Sequence, residues 1–328
     1  MIKILFSILI VLFSLKSYSQ GCCSGGSGSP IAGGVSQGVL VKNQIEFATN
    51  FQHLNSNKFK TLDKDTVSLF DNLNSNYLYS RIALGITEKL TFSVESGYFL
   101  NKTQIGLNNS DTINSGGIGD LILFPRYQIY NKISPKTRTE IVFGMGYKIP
   151  LGKYNDSTLV YKNPSTGQEF YTTSPPTIQP STGSQDFIFY GFFLKDFLKC
   201  KSRIKTFANI LYIKKGWNAL GQKFGDYKSV GLFVSRSFYE KIGIILQLRG
   251  ETVSKMKYDK NIDMLALYNI DVNSTGSQKL FLIPQISFSH KNFTTFLLSE
   301  FPIYQFANGT QVVSQNHITI GFSYRFNL

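Results

Sequence analysis

The sequence has few of the residues on which catalysis and covalent cross-linking depend. Its 328 residues include three cysteines, three histidines and one tryptophan, and only 16% of them are charged. Three cysteines are too few for a disulfide scaffold. No histidine has a nucleophile at a useful spacing, and His53 near Asp63 and Asp65 makes only a weak hydrolytic set. The sequence therefore indicates neither an enzyme nor a bound cofactor or metal ion.

Long apolar runs are also missing, apart from one at the amino terminus. Lys3 is followed by an apolar stretch from Ile4 to Leu15, and then by Ser17-Tyr18-Ser19. A basic residue, an apolar run and a small-x-small site are typical of a secretory signal peptide, which we predict at residues 1–19. An uncleaved anchor is the alternative, but about a dozen apolar residues are short for a membrane-spanning helix.

Residues 20–37 are rich in glycine and serine, so they cannot bury a core, and we predict a flexible periplasmic tail. The tail contains Cys22 and Cys23, and the third cysteine is Cys200. A disulfide among these three cysteines is one interpretation. A soft metal ion bound by the adjacent pair, acylation of Cys22, and an exposed pair without a partner are the others.

The charge balance is basic, at a formal +14, or +12 once Lys3 and Lys16 leave with the signal peptide (14 − 2). The basic residues are dispersed along an exported chain rather than clustered, which argues against nucleic acid as a partner. Basic loops that face an anionic outer surface explain the charge better.

The last twelve residues, HITIGFSYRFNL (317–328), alternate strictly between large apolar and small or polar side chains. Successive side chains of a strand point to opposite faces, so this pattern predicts a two-faced strand. Large apolar groups on one face of a final strand are typical of a transmembrane β-barrel, in which the last strand pairs with the first and faces lipid.

The same alternation recurs in twelve segments, joined by short turns and long polar loops in strict alternation. The segments are residues 38–52, 74–87, 89–101, 117–131, 138–151, 185–197, 202–214, 226–239, 241–254, 278–290, 292–304 and 317–328. They are long enough to cross a bilayer as strands, whereas the strands of a soluble β-sandwich or jelly roll are usually shorter. We predict an all-β fold, a transmembrane antiparallel β-barrel of about 12 strands over residues 38–328, with short periplasmic turns and long extracellular loops.

Charged residues of both signs fall on the face opposite the apolar one, where they would line the lumen. They are Glu46, Arg81, Glu95, Asp120, Arg126, Glu140, Lys148, Arg249, Glu251, Glu300 and Arg325. Paired charges inside a barrel can simply fill and rigidify it, or they can set the selectivity of a polar passage. Twelve strands lie between the filled small barrels and the open porins, which favours a constricted route.

Two short segments carry a family resemblance. Residues 116–121, Gly-Gly-Ile-Gly-Asp-Leu, are followed by Arg126-Tyr127, and residues 179–186 read Gln-Pro-Ser-Thr-Gly-Ser-Gln-Asp. Both resemble recurrent segments of the MetA-pathway phenol-degradation family of outer-membrane proteins, with Asp120, Arg126 and Asp186 at the recurrent polar positions. The resemblance implies a barrel in the Gram-negative outer membrane that moves aromatic or other hydrophobic compounds, and it brings no catalytic residues.

The carboxy terminus also resembles the sorting signal of bacterial outer-membrane proteins, except that it ends on Leu328 where that signal usually has phenylalanine. The expected partners are therefore outer-membrane lipid, the barrel-assembly machinery and a small-molecule cargo. We expect passive passage of small hydrophobic or amphipathic molecules. Tyr161, Phe170 and Tyr171 in the third loop would form a constriction or capture surface. A non-transporting barrel that presents its loops is the alternative, and an outer-membrane hydrolase a weaker one.

Overall fold

Twelve long antiparallel strands dominate the part of the chain that the computed structural model describes, which is residues 38–197, 204–238, 241–267, 270–315 and 317–328. The strands are β1 (Gln44–Ser56), β2 (Asn72–Gly85), β3 (Leu90–Ile105), β4 (Leu121–Ile133), β5 (Thr137–Ile149), β6 (Asp186–Phe197), β7 (Ile204–Lys214), β8 (Tyr227–Phe238), β9 (Ile242–Val253), β10 (Ser277–His290), β11 (Phe293–Val312) and β12 (His317–Asn327).

Each strand pairs with the next along the chain, and β12 pairs with β1, so that the sheet closes into a barrel. The closing register sets Glu46 opposite Arg325 and Phe51 opposite Ile320. Closure leaves no unpaired edge, which is the condition for a β-sheet to lie in lipid. The predicted fold class, a twelve-stranded antiparallel barrel, is confirmed. Within the described ranges, no helix has the length and apolar character needed to span a membrane.

The two faces of the barrel wall differ as the alternation requires. On β12, Ile320, Phe322 and Tyr324 are exposed on the outside, whereas Thr319 and Ser323 are buried on the inside. A lipid-facing apolar surface and a polar interior are what distinguish a membrane barrel from a soluble one.

Long loops emerge at one end of the barrel and short turns at the other. Loops 1 to 5 are residues 57–71, 106–120, 150–185, 215–226 and 254–276. They contain short strands at Phe59–Leu62, Lys64–Thr66, Thr112–Ile118, Ser157–Lys162, Glu169–Thr173, Gln222–Lys223 and Lys257–Tyr258, a helical turn at Met264–Leu267, and 3-10 turns at Leu107–Asn109 and Val272–Ser274. We call the opening that these loops surround the mouth.

Several predicted strand boundaries are wrong: the first and third strands each run four residues further, to Ser56 and Ile105, and three other differences change the path of the chain. The first strand does not start at residue 38 but at Gln44, because Asn43 has φ +63° and turns the chain into β1. The fourth predicted strand is broken at residues 119–120, and Thr112–Ile118 instead extends the wall by pairing with β3. The eleventh runs on to Val312, because Phe59–Leu62 of loop 1 pairs with its end.

Residues 38–40 precede the first strand and enter the barrel at the short-turn end. The backbone N–H of Leu40 donates to Thr91 Oγ1 at 2.7 Å, and Leu40 is 3% exposed. Val39 packs against an apolar cluster on the inner wall. The predicted signal peptide, the tail at residues 20–37, and the cysteines at 22, 23 and 200 lie outside the described residues, so the disulfide stays a prediction.

Candidate functional site

The barrel interior holds the charged residues that the sequence assigns to the inner face. The first group joins the three strands at the closing seam. The Glu46 carboxylate accepts hydrogen bonds from Arg81 on β2 and, at 2.6 Å, from Nε of Arg325 on β12. Glu46 has no exposed surface and Arg81 is 4% exposed. A buried carboxylate between two guanidinium groups satisfies charges that would be costly to bury alone.

A second group lies just inside the mouth and binds loop 3 to the wall. Lys148 Nζ is 2.6 Å from Asp120 Oδ2 and 3.0 Å from Asp186 Oδ2. Lys215, just beyond the end of β7, also contacts Asp186, at 2.9 Å. Burial lowers the pKa of the Lys215 ammonium, and the Asp186 carboxylate opposes that shift. Lys148 also donates to Thr182 Oγ1 of loop 3 at 2.8 Å. The same lysine therefore pairs with the two aspartates and holds loop 3 in place.

A third group spans β9 to β12. Arg249 donates two hydrogen bonds to Glu300, at 2.9 and 2.5 Å, and His317 Nδ1 lies 3.1 Å from the same carboxylate. Glu251 accepts from the Tyr227 hydroxyl at 3.0 Å and is 3.9 Å from Lys279 Nζ. The two parallel hydrogen bonds between Arg249 and Glu300 fix the orientation of both side chains and neutralise their charges.

The remaining predicted residues lie between these groups. Glu95 accepts from the Tyr79 hydroxyl at 2.6 Å, and Glu140 pairs with Arg138 at 2.7 Å. The guanidinium carbon of Arg126 is 6.0 Å from the ring centre of Phe124. The structure thus places all eleven predicted residues on the inner face or at the mouth. Their role in lining a passage stays a prediction.

Sequence reasoning missed the apolar part of the interior. Ile122, Phe124, Val142, Ile188, Tyr190, Phe192 and Leu211 form one buried cluster on the inner wall from β4 to β7. Five rings in this region, which we call the aromatic path, touch in succession: Phe124, Tyr190, Phe192, Phe207 and Phe233. Their centroids are 5.8, 6.5, 6.2 and 4.4 Å apart in that order.

The aromatic path runs along the barrel as well as around it. Phe124 lies three residues from the mouth end of β4, Tyr190 and Phe192 lie further down β6, and Phe207 is three residues from the short-turn end of β7. The signal for it was present in residues 187–194, FIFYGFFL, where both alternating sets are apolar. A strand with lipid on one side and polar groups on the other would alternate.

The ring of Phe124 lies flat on the wall because β5 presents glycine beneath it. A Cβ at Gly146 would lie 2.7 Å from Phe124 Cδ2 and 3.2 Å from Ile188 Cβ. We expect Gly146→Val to displace the ring and lower the free energy of unfolding by about 1–3 kcal/mol. Urea unfolding in lipid vesicles measures the loss. Gly191→Val on β6, where a Cβ has nothing within 4 Å, is the matched control. Equal losses for the two variants would contradict this packing.

Loop 3 folds across the mouth instead of pointing away from it. Ile178, with no exposed surface, packs with Phe59 and Phe70 of loop 1, Leu73 of β2 and Val312 of β11. Strand β11 is on the far side of the barrel from β5 and β6, which loop 3 connects. The loop therefore spans the opening.

The loop 3 residues expected to form a constriction or capture surface take no part in the buried crossing of the mouth. Tyr161, Phe170 and Tyr171 lie on the hairpin of Ser157–Lys162 and Glu169–Thr173, with exposed fractions of 51, 47 and 51%. The buried crossing is formed by residues 178–181 instead. The hairpin remains available as an exposed capture surface, which stays a prediction.

Metal-binding and hydrolytic arrangements depend on how the side chains of the described residues are grouped. No group of three or more His, Cys, Asp or Glu side chains there has an arrangement that could hold a metal ion. His53 Nδ1 lies 2.7 Å from Asn76 Oδ1, so its hydrogen-bond partner is an amide and not the carboxylate of Asp63 or Asp65.

No family model matches the sequence, and neither does any curated protein. Among solved structures, the COG4313 outer membrane channel from Pseudomonas putida F1 is similar over 89% of this chain and 99% of its own, with a TM-score of 0.65 and 10% identity. A FadL homologue from Pseudomonas aeruginosa is similar over 94% of this chain and 99% of its own, with a TM-score of 0.42 and 7% identity. The KdgM porin is similar over 87% of this chain and 99% of its own, with a TM-score of 0.40 and 8% identity.

The similarity to the COG4313 channel extends over nearly the whole of both chains, and at 10% identity it is a similarity of fold. The chain folds as an outer-membrane barrel. The COG4313 protein is described as an outer membrane channel, and the predicted family name is consistent with that description.

Proposed function

We propose that this protein gives small amphipathic molecules a passive route across the outer membrane. The observation that carries the proposal is the aromatic path on β4 and β6 to β8, opposite the seam strands β12, β1 and β2 that hold the Glu46 group. The apolar part of a molecule would move from ring to ring, while its polar part would meet the arginines, lysines and carboxylates opposite. No covalent step and no energy source is needed, because the gradient drives passage.

We take the described conformation as the closed one, because Glu46 and Glu95 have no exposed surface and Phe124 and Tyr190 are 1 and 2% exposed. Passage then requires side chains to move aside, which favours small cargo over an open water channel. The residues of the aromatic path make this movement easier for a cargo with an apolar face, because ring contacts are exchanged for ring contacts.

Flux into vesicles tests the proposal. We expect proteoliposomes with the refolded mature chain to load 2-naphthalenesulfonate, whose permanent charge prevents unaided crossing, several-fold faster than glucose. Phe192→Gln interrupts the aromatic path and should lower the naphthalenesulfonate rate by about tenfold, the equivalent of 1.4 kcal/mol. Phe193→Gln, at the next and lipid-facing position, is the control. Equal loading of both solutes, or none by folded barrels, would contradict the proposal.

A barrel that only presents its loops is the second candidate. It is supported by the loop 3 hairpin, which exposes Leu159 and Val160 in addition to its aromatic residues. Exposed apolar patches of this kind often mark contact surfaces. A folded barrel with no flux of either solute would favour this candidate.

A further inference from the structure

We propose that the apolar pocket around Ile178 is the first binding site for the apolar group of an arriving molecule, and that its occupation releases loop 3 from the mouth. The mouth pocket consists of Phe59, Phe70, Leu73 and Val312, with Ile113 packed beside it. Phe59 and Phe70 form its aromatic wall, with ring centroids 4.7 Å apart and planes at 76°. The inference rests on the proposed passage and adds where it begins and how it is regulated.

The pocket is built by parts of the chain other than the one that fills it. Phe59 and Phe70 come from loop 1, Leu73 from β2, and Val312 from the end of β11, which pairs with Phe59. Ile178 reaches them from loop 3 across the opening. The Ile178 side chain is held only by apolar contacts, which are not directional. A molecule with a similar apolar group can therefore replace it in the pocket.

The contacts of loop 3 are unequal at its two ends. The returning arm is fixed by polar contacts: Thr182 accepts from Lys148 and from Asn218, and Ser184 donates to Asp186 at 2.8 Å. At the crossing tip, Lys102 donates to the Gln179 carbonyl at 2.7 Å, and Ile178 fills the mouth pocket. The Gln179 amide also donates to the carbonyls of Asp156 and Ser174, but these contacts lie within loop 3 and would move with it. The tip is therefore the end that detaches, and the arm, which is bonded to Lys148 on the wall and to Asn218 of loop 4, is the end that stays.

The tip also has the stiffness that a lid requires. Pro175, Pro176 and Pro180 surround Ile178, and proline fixes the backbone φ angle. Gly183 follows with φ +70°, and a Cβ there would lie 2.4 Å from the Tyr154 ring. A rigid tip can move as one piece relative to the fixed arm, which begins at Thr182.

Single-channel recording in planar bilayers tests the latch. We expect Ile178→Ala to raise the open fraction at least tenfold, because the smaller side chain fills the mouth pocket poorly. Val160→Ala, which shortens an exposed side chain of the same loop, should leave the open fraction unchanged. Heat-modifiable migration on gels checks that each variant is folded. An open fraction for Ile178→Ala equal to that of Val160→Ala would overturn the latch.

A reversible cross-link gives the opposite change. In a chain with Cys22, Cys23 and Cys200 replaced by serine, Ile178→Cys and Val312→Cys are joined by a short bis-methanethiosulfonate. We expect the cross-link to abolish openings and dithiothreitol to restore them. Openings that persist while mass spectrometry shows full cross-linking would overturn the proposal, because the route would then bypass the mouth.

Benzyl alcohol, a soluble molecule with one apolar ring, tests the pocket as a binding site. It should raise the open fraction of the unmodified chain and of Val160→Ala saturably, and have little effect on Ile178→Ala, where the tip is already released. An equal rise of the open fraction in all three proteins would show that benzyl alcohol acts elsewhere, and would overturn the mouth pocket as its binding site. If Ile178→Ala matches the unmodified chain while naphthalenesulfonate still loads, the latch fails but the passage stands. If the Ile178→Ala variant shows channel openings but its vesicles load no naphthalenesulfonate, the proposed passage is contradicted.

Discussion

Glu46→Ala should lower the free energy of unfolding by about 3–5 kcal/mol, because it leaves two guanidinium groups without their shared carboxylate inside the barrel. Arg81 is 4% exposed and donates to Glu46, and Arg325 donates to the same carboxylate from the other side of the seam. The three residues come from β2, β1 and β12, so the loss falls on the strands that close the barrel. Urea unfolding in lipid vesicles, followed by the folded and unfolded gel bands, measures it.

Two further variants test whether the loss comes from unpaired buried charge rather than from removing a carboxylate as such. Glu88→Ala removes an exposed carboxylate from the turn between β2 and β3 and should change the free energy of unfolding by less than about 0.5 kcal/mol. Replacing both Glu46 and Arg81 by methionine removes opposite charges together, and should recover a large part of the loss. A Glu46→Ala variant as stable as Glu88→Ala would mean that the seam charges are solvated rather than buried.

The strands could be predicted because each strand faces lipid on one side and the lumen on the other. Every second residue is therefore apolar, and the residues between them are small or polar. The failures occur where another part of the chain decides the boundary. Residues 305–312 look like a loop around Asn308-Gly309, yet they continue β11 because the loop 1 strand pairs with them across a bulge. Residues 38–42 continue the alternation of β1, but Asn43 turns the chain and Leu40 is buried inside the barrel.

The charged residues of the interior could be named from the sequence, since alternation assigns each of them to the inner face. Their partners could not all be named. Lys215 and Asp186 meet because β6 pairs with β7 with Phe187 opposite Lys214, and Lys279 meets Glu251 through the pairing of β9 with β10. Such contacts depend on register and loop path, and a single sequence fixes neither.

The closure of the mouth was beyond the sequence for a similar reason. Loop 3 has aromatic residues at Tyr161, Phe170 and Tyr171, and aromatic side chains are the usual candidates for a constriction. The apolar residue that packs into the mouth pocket is Ile178, and nothing in the sequence distinguishes it from the residues around it. Its burial follows from Phe59 and Val312 on the far wall, which are remote in sequence and meet it only in the closed barrel.

Leu232→Lys should cost about 2–4 kcal/mol of folding free energy in vesicles, because it places an ammonium group in the middle of the hydrocarbon layer. Leu232 is 56% exposed on the outer face at the centre of β8. The unfolded chain leaves the lysine in water, so the full cost of its transfer falls on the folded state. Equilibrium urea unfolding in vesicles of uniform chain length measures it.

Ile242→Lys is the matched control, because Ile242 also faces outward but begins β9 at the short-turn end. Near the interface the same substitution should cost only about 0–1 kcal/mol, since the lysine can extend into the headgroup region. The difference between the two positions depends on depth alone, as both variants add one positive charge to an exposed apolar site. Equal costs would mean that the exposed apolar face is not held in a bilayer, and the outer-membrane location would then have to be given up.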